Sequence, residues 1–162
     1  MSDKKSANNE DITFFRHDLL EIPIDGKRPY LKGYRCRHCG QLDFPKLSPC
    51  PNCWHDEFDA VPLSRRGRLY SFSEIFVGQA GMQTPYTFGY IDLPENLRIF
   101  AQVEGDPGAL KCDDEVELVI GTIRMNHEGR PLQSYKFRKR CDKRCDGAPP
   151  KEPLFKEWNS VE

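Results

Sequence analysis

Four cysteines in two pairs, Cys36-Arg37-His38-Cys39 and Cys50-Pro51-Asn52-Cys53, constrain this chain more than any other feature. Each pair is a C-x-x-C, and ten residues separate the pairs. Two thiolates with two residues between them face one ion when a tight turn carries them. Two such turns build one tetrahedral metal site. Gly40, directly after Cys39, fits such a turn because glycine takes positive φ without a Cβ penalty. Four sulfurs close the coordination sphere, so the expected ion is one structural Zn2+ per chain, held by Cys36, Cys39, Cys50 and Cys53. Iron in a rubredoxin-like site is the competing ion, since thiolates suit it too. Disulfides would instead need an oxidising compartment. His38 and His55 stand beside the four cysteines and read as solvent-facing.

The rest of the chain narrows the class. At 162 residues it makes one ordinary domain or two small modules. Its 24 basic and 25 acidic residues nearly cancel, which argues against a dedicated nucleic-acid binder. No apolar run approaches the ~20 residues a membrane helix needs. The start, Met1-Ser2-Asp3-Lys4-Lys5-Ser6, is polar and leads to no apolar signal core. A soluble cytoplasmic protein is expected, with no membrane partner. Thirteen prolines and twelve glycines predict many turns. A modest core with irregular ends suits a subunit that leans on another chain.

Three further cysteines, Cys112, Cys141 and Cys145, carry no assignment. A nucleophilic thiol wants a positioned base, and no histidine neighbours these in sequence. No catalytic residue is expected in this chain.

Residues 1–33 form a polar segment, a short helix and a lead-in strand. The helix is expected over 11–20, with Asp11 as N-cap and Ile12, Phe15 and Leu19 on one apolar face. That face packs either on its own domain or on another chain. Tyr30–Arg35 reads as a strand running into the first cysteine pair. The ribbon occupies 34–61. Beyond Pro62, five β segments follow: Gly67–Val77, Tyr86–Leu93, Leu97–Glu104, Glu115–Met125 and Leu132–Phe137. Five strands over 62–138, the fourth long and bent past Gly121, fit the Greek-key barrel of the OB-fold. A small open sandwich is the alternative. The fold class is therefore mainly β: a short N-terminal helix, a rubredoxin-like zinc ribbon, a five-stranded OB barrel and an extended tail over 139–162.

Two segments invite a binding role. Arg138, Lys139, Arg140, Lys143 and Arg144 cluster positive charge at the end of the barrel. They form either a solvated face, an anion site for a nucleotide phosphate, or a docking arm. The segment Val77–Pro85 joins the first two barrel strands, a loop that OB-folds use for ligands. Gly78 and Gly81 make it mobile, Gln79 lies between them, and Met82 offers an adaptable apolar contact. An idle surface loop is the alternative.

The stretches Tyr34-Arg35-Cys36-Arg37-His38-Cys39-Gly40-Gln41-Leu42-Asp43-Phe44-Pro45, Cys50-Pro51-Asn52-Cys53, Ser64–Phe72 and Pro85–Leu93 together resemble the acyl-CoA-associated zinc-ribbon/OB-fold proteins. The resemblance spans residues 12 to 138. It implies a small, non-catalytic subunit on a thiolase-fold enzyme whose cysteines and histidines do the chemistry. It also implies coenzyme A as a ligand of the complex, with the basic cluster and the Val77–Pro85 loop placed toward the partner or the CoA phosphates. Two positions depart from the family pattern: Trp54 stands where glycine is common after the fourth cysteine, and Lys111-Cys112-Asp113-Asp114 replaces a glycine turn. A different reading is a module binding single-stranded nucleic acid, with Tyr70, Phe72, Tyr86, Phe88, Tyr90 and Phe100 as a stacking platform. A rubredoxin-like electron carrier would not need so large a barrel.

Overall fold

A computed structural model of the chain describes residues 13–14, 16, 18–24 and 27–140. Among these residues, ten strands form two sheets. The first sheet is the ribbon. Its axis is β3 (Tyr30–Cys36), flanked by β2 (Leu20–Glu21), β4 (Leu42–Asp43) and β5 (Phe58–Pro62), each antiparallel to it. Gly33 sits mid-strand where a Cβ would press into the Leu63 side chain, 2.6 Å from its Cδ2. The bare backbone there lets the ribbon close against the barrel.

The second sheet is the barrel, built from β6 (Arg66–Ile75), β7 (Tyr86–Leu93), β8 (Leu97–Glu104), β9 (Glu115–Met125) and β10 (Pro131–Lys139). Strands β6, β7 and β8 run as an antiparallel meander. Strand β10 pairs parallel with β8 and antiparallel with β9, and β9 returns to β6. The sheet thus closes on itself with no open edge along the circuit, the five-stranded OB topology. The long β9 manages this by pairing twice, with β6 at Glu115–Glu117 and with β10 along its length. Its pairing with β10 slips beyond Gly121, between the Thr122 and Arg124 partners. The strand therefore bends where the sequence predicts.

Alternation fixes what is inside. On β7, Thr87, Ile91 and Leu93 are buried, with Gly89 between them. Ile91 and Leu93 share a core with Leu69 of β6, Ile99, Ala101 and Val103 of β8, Val116 and Leu118 of β9, and Phe137 of β10. Leu20, Leu31 and Leu63 extend this same cluster into the ribbon. The two sheets therefore share one core.

The expected helix over 11–20 is corrected. Its described residues form β1 (Thr13–Phe14), parallel to Leu132–Gln133 of β10, and then β2. A helix this short is marginal alone. The β8 pairing occupies β10 only at Phe137 and Arg138, so the earlier part of that edge offers hydrogen bonds that a strand can take. Leu19, expected on the helix face, is buried instead beside β2. Asp11, Ile12 and Phe15 lie outside the described residues, as does everything beyond 140.

Candidate metal centre and flanking surfaces

Two knuckles present the four cysteines, and they share one hydrogen-bond design. In the first, the Gly40 N–H donates to the Cys36 carbonyl at 2.9 Å and the Cys36 N–H donates to the Gln41 carbonyl at 2.8 Å. In the second, Trp54 donates to Cys50 at 2.8 Å and Cys50 to His55 at 2.9 Å. Each turn points both of its sulfurs toward the other knuckle. All four Sγ atoms lie within 4.8 Å of one another. Cys36 Sγ is 3.5 Å from Cys53 Sγ, and Cys39 Sγ is 3.6 Å from Cys50 Sγ. Zinc–sulfur bonds of about 2.3 Å would set tetrahedral sulfurs about 3.8 Å apart, so the cluster has the right size for the ion. The four are free thiols, too far apart for disulfides. Cys36 and Cys50 are fully buried; Cys39 is exposed.

The thiols titrate apart. Cys39 is pulled down to about 6, first by a hydrogen bond from the Asn52 side chain and then by one from the Gln41 backbone. Cys53 receives a backbone hydrogen bond at His55 that lowers it. Desolvation and the crowding of Cys36, Cys39 and Cys50 outweigh that bond and push it up to about 12. Four sulfurs this close ionise together only around a cation. The donor set, all soft sulfur and with no water-facing fourth position, suits a structural rather than a catalytic ion. His38 and His55 are exposed and face each other at 3.7 Å between ring centroids, outside the sulfur cluster. His55 Nδ1 lies 2.9 Å from the Cys53 carbonyl.

The basic cluster is partly absorbed by the barrel. Arg138 pairs with Glu117 at 3.3 Å, Lys139 with Asp114 at 2.8 Å and Arg140 with Glu115 at 3.1 Å. These pairs tie β10 to β9 and to the turn before it. Lys143 and Arg144 lie outside the described residues.

The loop between β6 and β7 is anchored rather than loose. The Met125 N–H donates to the Gly81 carbonyl at 2.7 Å, joining this loop to the end of β9. Gly81 has φ +85°, and a Cβ there would collide with the Met125 carbonyl oxygen. The Met82 N–H closes a turn on Gln79 at 3.1 Å. Gly78 backs onto the Tyr86 ring.

Five of the six aromatics considered as a platform stand on the outside of the barrel or on its bulge. Phe72 alone packs against the core. Their spacing carried the signal, since Tyr86, Phe88 and Tyr90 alternate along β7. Apolar residues on both faces of that strand hid which side was inner. Cys112 is exposed and apart from the sulfur cluster. No described helix is long and apolar enough to cross a membrane.

A ribbon with this cysteine set, feeding directly into an OB barrel, defines a class of protein. The rubredoxin-like zinc ribbon domain of ChsH2 matches residues 25–59, and the C-terminal OB-fold domain of ChsH2 matches residues 60–121. The chain belongs to this zinc-ribbon/OB-fold family. It is 73% identical over 136 residues to the benzoylsuccinyl-CoA thiolase subunit BbsA of Thauera aromatica, covering 84% of this chain and 94% of that one. It is 33% identical over 117 residues to a DUF35 domain-containing scaffold protein of Methanocaldococcus jannaschii, covering 69% and 83% respectively. The solved Ltp2-ChsH2(DUF35) aldolase contains a chain of the same fold, at TM-score 0.57 and 24% identity, covering 68% of this chain and 84% of that one.

Proposed function

We propose that this chain is the non-catalytic, zinc-binding small subunit of a thiolase-type complex acting on acyl-CoA, specifically of a benzoylsuccinyl-CoA thiolase in anaerobic toluene degradation. One observation carries the reading: 73% identity to a subunit of that enzyme along 94% of that subunit. The clustering of the four cysteines supports its zinc-binding part. Cys36, Cys39, Cys50 and Cys53 would hold one Zn2+. The ion's contribution is structural, fixing both knuckles where the chain has little core of its own. In this reading the ribbon (34–61) is a metal-stapled support and the barrel (62–138) is the docking body.

The companion subunit carries the nucleophile and base that pass an acyl group to coenzyme A. This chain assists assembly and shapes access of CoA and substrate. Gly78, Gln79, Gly81 and Met82 would border that route. Arg138, Lys139 and Arg140 serve the barrel first, through their carboxylate partners. Together with Lys143 and Arg144 they would supply positive charge for the partner or the CoA phosphates. The test is an assay of benzoylsuccinyl-CoA thiolysis with this chain alone, the companion subunit alone, and both. Full turnover is expected only with both. Turnover by this chain alone would place the chemistry here and overturn the reading.

A further inference from the structure

We infer that the outer face of β7 and β8 is the surface by which this chain docks on its companion subunit. The inference rests on the subunit role proposed above. Thr87, Ile91 and Leu93 fill the barrel, so Tyr86, Phe88 and Tyr90 project from its outside. Phe100 of β8 stands opposite Tyr90 in register. The rings form a continuous ladder. Tyr86 meets Phe88 edge-on at 5.3 Å, Phe88 stacks on Phe100 at 4.6 Å and 14°, and Phe100 meets Tyr90 at 5.1 Å. Tyr90 and Phe100 are about half exposed, at 47% and 49%. A rigid aromatic strip held by its own stacking loses little entropy when covered, which is the character of an interface anchor.

The charge of this face selects the occupant. A strand of nucleic acid would need cations beside the rings to track its phosphates. Two arginines stand at one end of the rings, each in register with Asp92: the exposed Arg68 of β6 and Arg98 of β8. Arg98 is committed. Its Nε and Nη2 donate to the two carboxylate oxygens of Asp92 at 2.6 and 2.9 Å, and its guanidinium lies 3.4 Å from the centroid of the Tyr70 ring. Across the ladder, Ser71 and Ser73 of β6 pair with Tyr90 and Phe88, and Gln102 of β8 pairs with Phe88. Between Asp92 and the loop that precedes β7, the strip is therefore uncharged, and its charges gather at the one end. Its complement is an equally uncharged apolar strip on a protein, with acceptors for the Tyr90 and Tyr86 hydroxyls. The apolar surface continues past β6 into the anchored loop, where Phe76 and Val77 are exposed at 68% and 89%, with Met125 beside Gly81.

The experiment measures binding of the full chain to the companion subunit of the Thauera aromatica benzoylsuccinyl-CoA thiolase by biolayer interferometry. The double variant Tyr90→Ser/Phe100→Ser changes only outward-facing groups, and zinc content and circular dichroism report its folding. We expect Kd to rise at least thirtyfold. A Kd within threefold of the wild type, from a folded variant, overturns the docking face and leaves the subunit role standing. No binding by the wild type overturns the subunit role itself. As a second measurement that needs no loss of packing, photoreactive benzoylphenylalanine at position 100 should cross-link to the companion subunit. A folded, complex-forming protein that gives no cross-link overturns the docking face. Wild-type binding to a thymidine oligomer that the double variant loses overturns the choice of a protein occupant.

Discussion

Gly40 and Trp54 occupy the same place in two equivalent knuckles and share one backbone conformation, with φ at +74° and +64°. Each donates its N–H to the first cysteine of its pair. For glycine this left-handed turn is free of Cβ strain, whereas for tryptophan it costs about 1–2 kcal/mol. Trp54 is 78% exposed, so little packing on this chain offsets the cost. Trp54→Gly should therefore raise the stability of the isolated chain by up to about 1 kcal/mol, measured as a higher denaturation midpoint with unchanged zinc content. A clear loss of stability would mean that the indole holds the knuckle in a way its exposure does not suggest.

Elemental analysis should find one zinc per chain. Cys50→Ser should lose it, and with it the protease resistance of residues 34–61, because the folding energy of so small a module is largely metal binding. Iron, or a metal-free chain that resists proteolysis equally well, would contradict the assignment.

The anchored loop makes Gly81 a sensitive position. Gly81→Ala combines left-handed strain of about 1–2 kcal/mol with a collision on Met125. The loop should detach and become a site of limited proteolysis within 78–83. The complex should then lose kcat/KM while its zinc content stays the same. A loop as resistant as the wild type would show that the attachment to Met125 does not hold it.

The Asp92–Arg98 pair gives a pH signature. The hydrogen bond from Arg98 holds the Asp92 carboxyl below the usual aspartate value, against a smaller opposing effect of burial. A depressed folded pKa contributes stability above the unfolded value of about 3.9, and that contribution disappears as pH falls through the folded value. Wild type should thus melt above Asp92→Asn at pH 7, by a small margin because both groups are solvent-exposed and screened. The gap should close below about pH 4. Acid loss of zinc affects both proteins and drops out of the difference. A gap that does not change with pH would assign the effect to shape rather than charge.

Much of this architecture is legible before any coordinates. Strands β7, β8 and β9 begin and end where β-forming runs meet Pro94-Glu95-Asn96 and the turns around them. The cysteine spacing alone picks out the four sulfurs that the fold gathers within 4.8 Å of one another. What escapes the sequence depends on tertiary contact. Residues 11–20 look helical by periodicity, yet Thr13–Phe14 pairs with an available stretch of the β10 edge. Both departures from glycine keep the glycine conformation: Trp54 as above, and Asp113 with φ +71° in the turn before β9, its N–H donating to the Leu69 carbonyl at 2.7 Å. Aspartate tolerates that region better than most side chains, which explains why the second turn survives the substitution. The basic run at 138–140 looks poised for an anion, but its carboxylate partners come from β9 and the turn before it, about 20 to 30 residues earlier in the chain.

We propose that this chain works as a zinc-stapled subunit of a larger acyl-CoA enzyme. The most direct measurement is size-exclusion chromatography with light scattering on the untagged chain, co-expressed with the companion thiolase subunit. One stable complex containing both chains is expected, with one zinc for each copy of this chain. Elution of this chain by itself, at its own mass and with no thiolase subunit attached, would contradict it.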